Sequence, residues 1–206
     1  MSNNRDTSTT TPFLADPFEQ FAAWYNEADG HESVRYAHAA TLATSGRNGP
    51  DARIVLVHGW SGGGFIFGSD TRSAKAEQLR HDPSAALVFY WPELERQVRL
   101  RGRIEDGGED ESDQTFDDRP RESRITAWSS QQSRAIASRE VLERRFDEAR
   151  ARFDDSQPVP RPDTWRAYRL VPKVFEFWSA RRFRLHERVI YRRQPNGDWR
   201  RGVLEP

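Results

Sequence analysis

Three short segments concentrate side chains that match anionic ligands. Arg72, Ser73 and Lys75 open one candidate helix, which would place two cations and a hydroxyl beside the free amides of a helix N-terminus. Arg119, Arg121 and Ser123, in the run RPRES, form a second set of charge-assisted donors. Together they suggest two phosphorylated ligands. The third segment, Trp178 to Arg188, carries an aromatic plane, an imidazole and several guanidinium groups, which suits a flat anionic ring. If this stretch is a strand, Arg184, His186 and Arg188 share one face. Each cluster also fits a blander reading, a solvated arginine-rich turn, because 30 of the 32 basic residues are Arg and only Lys75 and Lys173 are Lys.

Other chemistries are poorly supported. The chain lacks GxGxxG, P-loop and HExxH motifs, and its five His residues (31, 38, 58, 81 and 186) lack metal-ligand spacing, so no metal site is expected. Without Cys there can be no disulfide, thiolate metal site or cysteine nucleophile, and a cytoplasmic protein is the simpler expectation. The 32 basic and 32 acidic residues cancel, which removes the electrostatic footprint of a nucleic-acid or anionic-membrane binder. The longest apolar run, Ala85 to Trp91, has seven residues, against about 20 needed to span a bilayer. Neither nucleic acid nor membrane is expected as a partner.

The elements that must position these groups read as α+β. The 206 residues are 35% hydrophobic with mean hydropathy −0.91, a modest core that favours one domain paired with a second copy. Residues 1–13 read as a disordered leader and 14–206 as a single domain. Asp16-Pro17-Phe18-Glu19 predicts a capped helix start, with an apolar stripe at Phe18, Phe21, Ala22 and Tyr25 and a stop at Gly30. HAATLATS and ARIVLVH form a hairpin around Asn48-Gly49, followed by a strand at 64–67 and a short helix at 73–80. Residues 85–90 predict a strand buried on both faces, and Gln97 to Ile104 a strand with Val98, Leu100, Gly102 and Ile104 inward. The acidic GGEDESD predicts a loop leading into a helix, Ser138 starts another helix, and TWRAYRLVP, KVFEFW, ERVIYRR and DWRRGVL read as four short strands.

From Asp16 to Pro206 the chain carries, in order, DPFEQF, RIVLV, SAKA, LERQV, RPRES, AWSSQQS, EFW, RLHER and LEP. In this it resembles the FMN-dependent pyridoxine (pyridoxamine) 5′-phosphate oxidases. The resemblance implies an antiparallel split β-barrel with inserted helices, forming a homodimer with FMN at the interface. It implies an oxidase that converts pyridoxine or pyridoxamine 5′-phosphate to pyridoxal 5′-phosphate, with O₂ as acceptor and hydrogen peroxide as product. The implied FMN shell is Arg53, Ile54, Val55, Leu56, Val57, Gly68, Ser69, Arg72, Ser73, Lys75, Gln97, Gln132, Ser133, Trp178 and Arg188. For the small-molecule substrate it implies Arg119 and Ser123 at the phosphate and Arg184, Leu185 and His186 around the ring, with Arg184 and His186 as catalytic residues.

Four positions depart from the family pattern. His58 stands where the family usually has a phosphate-binding Lys, and Thr115 where it has a Tyr; Ala74 replaces the central Arg of SRK, and Asp70 an Asn. The first two leave open an alternative, an FMN oxidase of the same family acting on another flat anionic ring, such as a dihydrophenazine-type biosynthetic intermediate. The last two leave open a non-catalytic flavin-binding protein.

Overall fold

The computed structural model describes residues 13–61, 63–153 and 156–206. Helix α1 (Pro17–Asp29) starts as expected, with the Asp16 carboxylate accepting from the amides of Phe18 and Glu19 and Gly30 closing its C-terminus. Its buried stripe is Phe21, Trp24 and Ala28, rotated slightly from the predicted one, with Phe18 and Tyr25 flanking it.

Strands β1 (Ala39–Gly46), β2 (Gly49–Ser61), β3 (Gly64–Asp70), β4 (Ser84–Trp91), β5 (Arg96–Asp106) and β6 (Trp165–Ser179) form an antiparallel sheet in the order β3-β2-β1-β4-β5-β6. Pairing of β3 with β6 closes these six strands into a barrel. Strands β7 (Glu187–Arg193) and β8 (Trp199–Val203) extend the sheet beyond β6. The interior is filled by Leu42, Phe65, Phe67, Leu87, Phe89, Val98, Leu100, Phe175 and Phe177, and α1 plugs one end by setting Phe21 edge-on to Phe65 and Trp24 edge-on to Phe177. The barrel and its helices (α2, Ala74–His81; α3, Gly108–Asp117; α4, Arg121–Ser129; α5, Arg139–Arg152) make the α+β architecture expected.

Five local expectations are corrected. TWRAYRLVP and KVFEFW are one strand, β6. Pro172 is tolerated within it because it falls beside the β5 bulge at Arg101/Gly102, in the gap where the other edge of β6 passes from β3 to β7. GGEDESD belongs mostly to α3, where Glu109, Asp110 and Glu111 occupy the first turn and favour the helix dipole. Arg161, Arg166 and Arg169 then hold those acids against the barrel. RPRES begins α4 instead of a turn. Strand β4 buries only Leu87, Phe89 and Trp91; on its other face Tyr90 is 57% exposed. Finally, Arg182–Arg184 form a single 3-10 turn with left-handed backbone at Phe183 (φ 59°) and Arg184 (φ 62°), and β7 begins only at Glu187, so Arg184, His186 and Arg188 do not alternate along a strand.

Outside the barrel, α4 and α5 enclose a small second cluster of Ile125, Ala149 and Val159. Phe13, placed in the leader by the sequence, packs on Trp24 and Phe177, and the carbonyl of Leu14 accepts from the Tyr191 hydroxyl at 2.7 Å. The rest of the predicted leader, 1–12, lies outside the described residues.

Candidate active site

One cavity of about 710 Å³ opens on the barrel wall where β2, β3, the start of α2 and the start of α4 converge. Twelve of the expected residues line it: Arg53, Ile54, Val55, Leu56, His58, Gly68, Ser69, Lys75, Arg119, Ser123, Gln132 and Ser133. The cavity has two cationic ends. At one, the buried Lys75 ammonium donates to Ser69 Oγ at 3.1 Å and Gln132 Oε1 at 2.9 Å, and forms no ion pair among the described residues. Burial and then the nearby Arg53 lower its pKa, partly offset by Asp70 and Asp51. Ser73, the N-cap of α2, stands behind it with its hydroxyl 3.2 Å from that of Ser69. Arg53 is fixed by Thr44 Oγ1 (2.6 Å) and Gln78 Oε1 (2.8 Å), two partners that no sequence motif announced.

Asp70 also lines the cavity, but its charge is paired with Arg72. Burial raises its pKa, but hydrogen bonds from the Arg72 side chain and amide outweigh that, and the net effect is a carboxylate held below its usual range. The same pairing commits Arg72 to Asp70, with a further bond to the Ser130 carbonyl. Arg72 therefore borders a neighbouring groove and not the main cavity.

At the other end, the Arg119 guanidinium lies 5.6 Å from the Phe116 ring and 5.4 Å from that of Trp165, and its buried Nη1 has no hydrogen-bond partner among the described residues. Burial lowers its pKa, yet a guanidinium remains charged at any physiological pH. Trp165 is held close by Gly68, since a Cβ there would sit 2.0 Å from Trp165 Cζ2. His58 occupies a β-bulge in β2, where Val57 pairs with Phe67 and Gly59 with Ile66. Burial lowers the His58 pKa, Arg119 and His38 lower it further, and Asp118 opposes them. His38, Asp118, Trp165 and Thr126 line the cavity and were not anticipated. Two expected residues lie elsewhere: Val57 is in the barrel core, and Thr115 is buried in α3 outside the cavity lining.

The remaining expected residues form a separate group. Gln97, Trp178 and Arg188 are in register across β5, β6 and β7. Arg188 is held by Glu176 Oε1 (3.0 and 2.7 Å), whose other oxygen accepts from Arg99 at 3.2 Å. The His186 ring lies 4.7 Å from that of Trp178, and its Nδ1 accepts from the Arg181 amide at 3.2 Å, so a neutral His186 carries its proton on Nε2. Arg184 and Leu185 are exposed on the adjoining turn. Neither this turn nor the Gln97–Trp178–Arg188 row lines the cavity of the same chain.

Residues 27–153 match the family model described as pyridoxamine 5′-phosphate oxidase, and residues 165–206 match that of the pyridoxine 5′-phosphate oxidase C-terminal dimerisation region. The chain is 46% identical over 197 residues to a pyridoxine/pyridoxamine 5′-phosphate oxidase of Cupriavidus necator, covering 95% of this chain and 92% of that protein. It is 42% identical over 207 residues to one of Mesorhizobium japonicum, covering 100% of both. The chain belongs to the pyridoxine/pyridoxamine 5′-phosphate oxidase family. Among solved structures, PhzG from Burkholderia lata 383, in complex with tetrahydrophenazine-1-carboxylic acid, is similar with TM-score 0.87 and 30% identity, covering 94% of each chain. A pyridoxamine 5′-phosphate oxidase-related, FMN binding protein from Nostoc punctiforme shares the fold, with TM-score 0.75 and 20% identity over 94% of this chain and 100% of that one. As a member of this oxidase family, the chain carries its second residue group, Trp178 to Arg188, inside the segment that matches the dimerisation region. No helix among the described residues is long and apolar enough to cross a membrane.

Proposed function

We propose that this oxidase converts pyridoxine or pyridoxamine 5′-phosphate to pyridoxal 5′-phosphate, using FMN and O₂ and releasing hydrogen peroxide. The observation that carries the reading is one cavity with two separate cationic ends: Lys75 with Ser69 and Gln132, and Arg119 with His58 and Ser123. The first end fits the FMN phosphate, because a buried ammonium without an ion pair is costly until an anion arrives. The second fits the substrate phosphate, since the buried Arg119 Nη1 lacks an acceptor. Bound FMN would supply the redox chemistry, accepting a hydride from the substrate C4′ and returning electrons to O₂.

The chain's own residues bind and orient. Phe116 and Trp165 keep the Arg119 plane fixed, so the substrate phosphate meets a preorganised donor. Gln97, Trp178, Arg184, His186 and Arg188 reach the cavity of a second copy in a homodimer, where His186 Nε2–H donates to the ionised oxygen of the ring and Arg184 covers its face. A partner copy is supported by the exposed apolar residues Ile54 (63%), Leu56 (46%) and Tyr90 (57%) on one side of the sheet. Glu176 positions Arg188 for the same encounter.

The second reading, a dihydrophenazine-type substrate, draws on the likeness to PhzG. It is less well supported, because the phosphate-sized cationic end at Arg119 remains and the oxidase relatives are the more similar in sequence. Peroxide release separates the two. Turnover of pyridoxine 5′-phosphate, with neither pyridoxine nor a dihydrophenazine carboxylate replacing it, supports the first; turnover of the dihydrophenazine alone supports the second.

A further inference from the structure

Deepening the reading above, and resting on it, we propose that this chain captures the substrate phosphate together with a proton, which is drawn from solvent onto His58 as the anion docks against Arg119. In place of a permanently charged side chain, the phosphate end of the cavity carries an imidazole that must be charged for the occasion.

The geometry is that of a cluster. His58 sits at the one irregular position of the β2–β3 ladder, and the unpaired residue of a bulge is turned out of the regular alternation. The cavity brings it together with His38 at the entry to β1, Arg119 and Asp118 ahead of α4, and Ser123 in the first turn of α4. In this pocket burial, Arg119 and His38 disfavour a charge on His58, and Asp118 favours one. Without an anion the balance keeps His58 neutral. A phosphate dianion reverses it, because the charged ring then gains a charge-assisted hydrogen bond while the Arg119 repulsion is neutralised.

The consequence is a substrate affinity that weakens as pH rises. The proton enters His58 readily at pH 6 and must be taken from an increasingly basic solvent at pH 8.5, so binding loses strength through that window. Replacing a charge-assisted bond by a neutral one corresponds to about a fivefold loss.

The test uses FMN-loaded protein and 4′-deoxypyridoxine 5′-phosphate, which carries the phosphate and ring but no oxidisable group at C4′. Calorimetric titration at pH 7.5 in two buffers of different ionisation heat counts protons taken up on binding. The expected result is more proton uptake by the wild type than by His58→Lys or His58→Gln, and an affinity that falls up to about threefold further from pH 6.5 to 8.5 in the wild type than in either variant, the rest of the fivefold loss lying below pH 6.5. Since the ligand's own phosphate titrates near pH 6 in all three proteins, only the difference from His58→Gln is attributed to the residue. Equal uptake in the wild type and His58→Gln overturns the inference while leaving the proposed substrate intact. No binding of the analogue to any of the three overturns both.

Discussion

Lys75→Met separates binding from stability in a way that few substitutions can. The Lys75 ammonium is buried, bonded among the described residues to Ser69 Oγ and Gln132 Oε1, and after burial the largest influence on it is another cation, Arg53. Removing a buried, unpaired charge and keeping the side-chain volume relieves desolvation, so the FMN-free protein is expected to be unchanged or more stable by up to about 1 kcal/mol. FMN binding loses a charge-assisted hydrogen bond to phosphate, worth about 1.5–3 kcal/mol, which is about 10- to 150-fold in Kd. Quenching of flavin fluorescence gives the Kd, and thermal unfolding of FMN-free protein gives the stability. An unchanged Kd, or a melting temperature that drops by several degrees, would refute the assignment of Lys75 to the cofactor phosphate.

Three further substitutions probe the surrounding structure. Gly68→Ala would put a Cβ 2.0 Å from Trp165 Cζ2, and the overpacking is expected to cost about 1–3 kcal/mol, lowering the melting temperature by about 2–12 °C; an unchanged melt would show that Trp165 yields freely. Leu56→Glu alters a side chain 46% exposed in the single chain, so folding should survive while sedimentation shows the dimer shifting toward monomer; an unaltered dimer would place the interface elsewhere. Arg184→Ala should lower kcat/KM at least about tenfold with full flavin content, because the residue is exposed on its own turn and lies outside the hydrophobic core; loss of flavin together with activity would mark it as structural.

The barrel was legible where hydrophobic alternation is regular. Val98, Leu100 and Ile104 point inward as their period-2 spacing demands, and the Asp16 cap follows from side-chain chemistry alone; the first hairpin is where Asn48-Gly49 signals it, but its turn is Arg47-Asn48, with Gly49 already in β2. What failed to show was set by distant partners. GGEDESD reads as a loop ahead of a helix but is already the first turn of α3, and arginines 48 to 58 residues later in the chain bind its acids. Apolar β4 looked doubly buried because a face that suits a partner copy has the same composition as one that suits a core. The RLHER turn was misread as strand because nothing in Phe183 or Arg184 signals left-handed backbone. At the site, the phosphate-matching clusters were visible as sequence neighbours, but their support was not. Trp165 beside Arg119, Gln78 of α2 beside Arg53 of β2, and Glu176 beside Arg188 across β6 and β7 are each brought to their partner by tertiary packing between segments distant in the chain.

The central claim, that the cavity brings a phosphorylated pyridoxine to a flavin, is tested most directly by the visible spectrum of the FMN-reconstituted protein without oxygen, before and after addition of pyridoxine 5′-phosphate. Bleaching of the flavin band, reversed on admitting air with release of peroxide, is the predicted result. A flavin band that persists with this substrate at saturating concentration would contradict the claim.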